Sequence, residues 1–174
     1  SDADIVGVFV NDDVQAVAAW NPQLMSIADM PNANVVFTSH EIPREILDMM
    51  VVNTETLKNN PDFGKALAGA WYEVMDHIAE NDEEALEIMA EAAGTDVAGY
   101  REQLDATYLY TDPAEAAELM NDDELLETMQ RVAEFSFKHG LLGQGAPSPD
   151  VIGIETPAGT YGSDSNVKLR FEPR

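Results

Sequence analysis

The chain has 174 residues, of which 45% are hydrophobic, enough for one domain with its own core. It carries 33 acidic and 9 basic residues, so its formal net charge is −24. This charge argues against binding to nucleic acids, because proteins that bind them use lysine and arginine to displace counterions from the phosphates. It also argues against binding to anionic membranes. Cysteine is absent, which excludes disulfides, thiol nucleophiles and cysteine zinc sites.

The first third of the sequence predicts short helices and apolar strands. Residues 1–10 fit a helix by their early acidic residues and a strand by their later apolar ones. An apolar stretch predicts a strand over 14–20 that ends at Asn21, because Pro22 cannot donate to a strand ladder. Pro22 suits the first turn of a helix over 22–30, with Asn21 as its cap. Two further apolar stretches predict strands over 34–38 and 47–53.

Residues 54–139 show helical periodicity throughout. Apolar residues at spacings of three and four predict a helix over 62–79 with one inward stripe: Phe63, Leu67, Trp71, Val74 and Ile78. Helices are also predicted over 82–93, ended by Gly94, and over 95–108, capped by Thr95. The last two helices are predicted over 112–120, with a proline in the first turn, and over 122–138.

The sequence after the last helix is rich in glycine and proline. Residues 143–149 are typical of a linker. Strands are predicted over 151–156 and 167–171, paired as a hairpin around a turn at 157–160.

Trp20 and Asn21 are the leading candidates for ligand binding. Both should lie at the carboxyl end of a strand, where ligands bind in open α/β sheets. Asn21 offers one acceptor and two donors, so its side chain can bind an amide, an amidine or an anion. The alternative for Trp20 is a core residue at a strand end, which is a common place for tryptophan.

Glu45 and Asp48, in the connector 41–48, are the second candidates. A carboxylate that lines a cleft matches the planar donor fork of a urea-like or guanidinium-like ligand. The alternative is that each is a solvated acid among the 33 in the chain.

The sequence carries no recognisable catalytic or metal-binding motif. Its three histidines, His40, His77 and His139, are far apart and have no second ligand at metal-binding spacing. No serine has a histidine partner at a motif spacing. We therefore expect no enzyme activity, no cofactor and no metal.

Four segments together resemble one family of binding proteins. Residues 12–24 are similar to the DxxAxxxWxP segment of periplasmic solute-binding proteins of ABC importers for nitrate, taurine and sulfonates. Residues 47–61 resemble that family's return strand and following helix. Residues 135–142 and 166–173 resemble its urea or urea-carboxylase-associated subgroup. The resemblance covers nearly the whole chain, but only the C-terminal half of such a protein, and it favours a helix over 1–10.

The resemblance implies an α/β fold that forms the helix-rich C-terminal portion of a two-lobe type II periplasmic-binding-protein fold. Residues 1–53 would end the second lobe and form the return hinge strand, 54–142 would be the helical part of the first lobe, and 143–174 a linker and hairpin. It also implies capture of a small polar nitrogenous solute, such as urea, guanidine or an amide, in an interlobe cleft. The ligand-binding residues would be Trp20, Asn21, Glu45 and Asp48.

The same resemblance implies delivery of the solute to ABC permease subunits from the periplasm, with a sulfonate, taurine or nitrate as the alternative ligand. A ligand-free acidic helical module that binds a protein partner is the alternative function. A sheet that lacks strands leaves open edges, so we expect pairing with a missing N-terminal half or with a second copy in a swapped dimer.

Overall fold

The computed structural model describes residues 4–172, which form a mixed α/β structure dominated by helices. The described residues form two compact units, one of residues 4–50 and 80–109 and the other of residues 51–79 and 110–172. The α/β class expected from the sequence is confirmed at this level.

The elements follow one another along the chain with helices first and strands last. The helices are α1 (Ile5–Phe9), α2 (Gln23–Ala28), α3 (Thr54–Asn59), α4 (Phe63–Ala79), α5 (Glu83–Ala93), α6 (Val97–Asp105), α7 (Pro113–Asn121) and α8 (Asp123–Lys138), with a 3₁₀ turn at Ser39–Glu41. The strands are β1 (Gly153–Thr156), β2 (Gly159–Tyr161) and β3 (Val167–Arg170). The helices predicted over 62–79, 82–93, 112–120 and 122–138 are confirmed. The helix predicted over 1–10 is confirmed as α1, and residues 1–3 of it lie outside the described range.

The first unit contains two pairs of packed helices, α1 with α2 and α5 with α6. The Asp82 carboxylate caps α5 by accepting the backbone N–H of Glu84 at 3.1 Å, and Gly94 ends α5 with a φ of 72°. The Arg101 guanidinium on α6 donates to Asn81 and Glu83, both at 2.7 Å, and so ties α6 to the start of α5.

The cap of α6 differs from the prediction. Asp96, rather than Thr95, accepts the backbone N–H of Gly99 at 2.8 Å, so α6 begins at Val97. The prediction was wrong by one residue because Thr and Asp both favour a cap and adjoin each other here.

The second unit is organised around α8, which packs against β1 and β2. Most buried apolar side chains of the second unit lie on α8, in the sheet or directly after β3. They are Leu125, Met129, Ala133, Ile154 and Phe171. Thr128 is also buried on α8, where its hydroxyl accepts a hydrogen bond of 2.8 Å from the Arg131 guanidinium. This contact satisfies a polar group that would otherwise destabilise the interior.

The sheet has the order β2-β1-β3, which differs from the predicted hairpin. β1 pairs antiparallel with the short strand β2, and β3 pairs parallel with the other edge of β1. The hairpin prediction was wrong about the partner because the residues directly after the tight turn form β2. Gly162, with a φ of 77°, then redirects the chain to the opposite edge of β1.

The strands predicted over 14–20, 34–38 and 47–53 are wrong, because all three segments lack regular secondary structure. A strand exists only where a neighbouring strand accepts and donates backbone hydrogen bonds. The described chain provides no such neighbour for these segments, although their composition favours strands.

The apolar stripe on α4 is also only partly buried. Phe63, Trp71 and Val74 are exposed, whereas Met75 on a neighbouring face is buried. Helical periodicity correctly predicted that the side chains of the stripe share one face of α4. Periodicity does not predict whether another element packs against that face. The inward orientation predicted for the whole stripe was therefore wrong.

Replacing Gly162 by alanine should destabilise the second unit by about 2 kcal/mol or more, because φ is positive and the new Cβ would overlap the carbonyl of Ile152. Gly69→Ala is the matched control within the same unit. It lies inside α4 with open space at the Cβ position, so it should stabilise by about 0.5–1 kcal/mol. Urea denaturation of both variants checks this pair, and equal effects in the same direction would contradict it.

Tyr161 should make the second unit sensitive to alkaline pH. Burial, with the nearby Glu134 and Asp150 carboxylates, raises the pKa of the Tyr161 phenol. The unfolded chain then loses this proton at lower pH than the folded chain, so stability falls as pH rises above the ordinary value of 10.0.

Tyr161→Phe should therefore lose less stability than the unmodified chain between pH 9 and 11, as measured by urea unfolding. Glu134→Gln should lower the pKa of Tyr161 in an ultraviolet titration of tyrosinate. Equal alkaline losses in Tyr161→Phe and in the unmodified chain would contradict this assignment.

Candidate functional site

Trp20 and Asn21 lie where the extended segment 14–20 meets α2. The Trp20 carbonyl accepts the backbone N–H of Leu24 at 2.8 Å, and the Pro22 carbonyl accepts that of Ser26 at 3.3 Å. The peptide bond between Asn21 and Pro22 is cis. The pair therefore lies directly before a helix, as predicted, although the preceding segment is not a strand.

Asn21 does not cap α2. Pro22 takes the capping position, and no side chain accepts a hydrogen bond there. The prediction was wrong because the Trp20 carbonyl already binds the Leu24 N–H that an Asn21 cap would accept. The Asn21 amide is left without a role in α2.

The Asn21 side chain carries an unusual acceptor. Its Oδ1 atom is buried and has no hydrogen-bond partner among the described residues. A buried acceptor without a partner costs about 1–3 kcal/mol, which is why native structures contain few of them. A group that donates an N–H to this oxygen would recover that free energy.

The side chain of Trp20, the residue before Asn21 in the sequence, is 63% exposed. It is therefore not the core residue that its sequence position also allowed. An exposed indole offers a flat apolar face for stacking and one N–H donor. The two neighbours thus combine an open aromatic surface with a buried acceptor.

Glu45 and Asp48 lie on the connector between the 3₁₀ turn and α3. Asp48 is exposed and Glu45 is partly buried. Arg44, before Glu45, has a φ of 64°, in the left-handed region that few side chains adopt. The hydrogen bond of the Trp20 carbonyl does not involve this connector. The role of Glu45 and Asp48 as ligand contacts stays a prediction.

The structure places no metal-binding group at the candidate site. Among residues 4–172, no three histidine, aspartate or glutamate side chains are arranged to hold a metal ion. His139 instead stacks on Phe135, with the ring centroids 4.2 Å apart. In the same range, no helix is long and apolar enough to cross a membrane.

The sequence interpretation missed how much apolar surface is exposed. Val36 is 91% exposed, and its neighbours Val35 and Phe37 are also exposed. The signal is present in the sequence as an uninterrupted apolar run, which predicts a strand over 34–38. The same run without a sheet is an apolar surface.

Comparison with known proteins does not identify the chain: no family model, no curated protein and no solved structure matches it.

Replacing Asn21 by leucine should leave the free energy of unfolding unchanged or raise it by up to about 1 kcal/mol, because the substitution removes an acceptor that has no partner. Asn166→Leu is the control, since the Asn166 amide donates to the Val151 carbonyl at 2.8 Å. The control should lose about 1–2 kcal/mol. A comparable loss in Asn21→Leu, measured by urea denaturation, would show that the Asn21 amide has a structural partner.

Proposed function

We propose that the chain is part of a solute-binding component of an ABC importer, and that it binds a small polar solute through Trp20 and Asn21. The observation that carries the proposal is the buried Oδ1 of Asn21, which has no partner among the described residues, together with the exposed ring of the preceding residue, Trp20. The importer, its permease partners and the periplasmic location rest on the resemblance of residues 12–24 and 47–61 to that family.

The chemistry of the pair favours urea, a guanidinium or a simple amide. Each of these ligands is planar and carries N–H groups at its edge, so one face can stack on Trp20 while an N–H donates to Asn21. Nitrate and sulfonate groups carry only acceptors and cannot donate to Oδ1. Within the proposal, Glu45 and Asp48 would accept further N–H groups, as carboxylates do from planar donor forks.

The proposed mechanism changes no covalent bond. Solute that contacts both lobes of a binding protein stabilises its closed form, and the closed form is what a permease recognises. Affinity would come from a few converging polar groups and an aromatic wall.

The exposed face of α4 favours a second candidate, a ligand-free module that binds another protein. Trp71 is 45% exposed and shares this face with Phe63 and Val74. Exposed aromatic and aliphatic side chains on one helix face are typical of protein contacts. This candidate predicts no response to small solutes.

The two tryptophans allow a direct test of the proposed site. Trp71→Phe leaves Trp20 as the single tryptophan, and Trp20→Phe leaves Trp71. Titration with urea, guanidinium and acetamide at millimolar concentrations should change the fluorescence of the Trp71→Phe protein and not that of the Trp20→Phe protein, whereas taurine and nitrate should change neither. A ligand at 100 times its dissociation constant should also stabilise the protein by about 2.7 kcal/mol in thermal unfolding.

Substitutions of Asn21 separate the ligand classes. Asn21→Ala should abolish the fluorescence response, while Asn34→Ala, at an exposed asparagine, should retain it. Asn21→Asp should keep or strengthen binding of guanidinium and weaken binding of anions, because the carboxylate only accepts hydrogen bonds. A response that persists in Asn21→Ala, or that occurs at Trp71 alone, would reject this site.

A further inference from the structure

Two segments of the first unit have backbones without hydrogen-bond partners. Asn34–Phe37 and Ile46–Met50, called here the bare segments, take part in no hydrogen bond within residues 4–172. Just outside the first of them, the N–H of Ala33 donates to Met30 and that of Thr38 donates to the Glu41 carboxylate. Both residues that flank the first segment therefore have partners, whereas residues 15–19, 51 and 52 share the lack of partners with the bare segments.

Most side chains of the bare segments are apolar and exposed, and the polar ones are Asn34 and Asp48. In the first segment, Val36 is 91% exposed, and its neighbours Val35 and Phe37 are also exposed. The second segment exposes Ile46, Met49 and Met50. A strand at the surface of a sheet normally alternates apolar and polar residues, whereas a run that is apolar on both faces is typical of strands covered on both sides.

We propose that the bare segments are docking strands for another polypeptide, which adds β-strands beside them and carries lysine or arginine next to those strands. Added strands would satisfy the free N–H and C=O groups, as in other cases of strand addition at an open edge. They would also begin to cover the apolar side chains, and burial of apolar area drives such association.

The charge distribution selects a basic partner. The connector between the bare segments carries Glu41, Arg44 and Glu45, and the exposed Asp48 lies within the second segment, so three acids and one base give this region a net charge of −2. A second copy of this chain would bring another net charge of −24 to the contact, and repulsion would oppose pairing. A partner with basic residues flanking its strands would instead be attracted by the negative charge of this chain. A second copy is therefore the disfavoured occupant.

The proposal is tested with a synthetic strand peptide as the probe. The peptide alternates valine and threonine, has two lysines at each end and carries a fluorophore for anisotropy. It should bind the 174-residue chain, and binding should weaken as salt is added, because salt screens the charges. A peptide with a central proline should not bind, since proline removes a ladder donor. A peptide flanked by glutamates should bind at least about tenfold more weakly.

Two matched variants locate the contact. Val36→Lys should weaken binding of the lysine-flanked peptide by about tenfold or more, because it places a like charge in the docking strand. Ile88→Lys makes the same change at a residue that is 64% exposed on α5, and binding should stay within about twofold. Circular dichroism should show the same helix content in both variants.

Three results would overturn the proposal. The first is that the lysine-flanked peptide does not bind, and the second is that Val36→Lys and Ile88→Lys affect its binding equally. The third is dimerisation of the chain alone in analytical ultracentrifugation that Val36→Lys abolishes, which would assign the bare segments to a second copy. None of these measurements involves Trp20 or Asn21, so a failure here leaves the solute-binding proposal unaffected.

Discussion

Backbone hydrogen bonding is the constraint on which this structure depends. Helices satisfy their N–H and C=O groups within one segment, and the described helices form with well-placed caps at Asp82, Asp96 and Asp112. A strand can satisfy them only through a neighbour. Segments with strand composition but no neighbour therefore lack regular secondary structure, and the small sheet around β1 is the one place in the described range where strands pair.

This difference explains what the sequence could predict. The ends of α5 and α7 followed from local signals, a capping aspartate with Gly94 in one case and Asp112 with Pro113 in the other, because these signals act within a few residues. The strand at Val36 failed because its partner is not a local property. The parallel pairing of β3 was missed for the same reason, since a hairpin is the simplest connection that sequence spacing suggests.

The sequence predicted the position of Trp20 and Asn21 before a helix. It did not predict how far their side chains are buried. The proline at position 22 correctly placed Trp20 and Asn21 before a helix, whereas the buried oxygen of Asn21 and the exposed ring of Trp20 are results of packing. From the sequence alone, ligand binding was one of two alternatives for Trp20, and a core position was the other. The acids of the connector, Glu45 and Asp48, gained no such support, because carboxylates are abundant in a chain with 33 acidic residues.

The docking proposal rests on strand composition without a backbone hydrogen-bond partner, within residues 4–172, at residues 34–37 and 46–50. Amide hydrogen exchange of the isolated chain, followed by NMR, tests it most directly. We expect the amides of Val35, Val36 and Phe37 to exchange at the rate of an unstructured peptide. The amides of Ile154 and Leu169 in the sheet should exchange slowly. Protection of Val36 comparable to that of Ile154 would contradict the account.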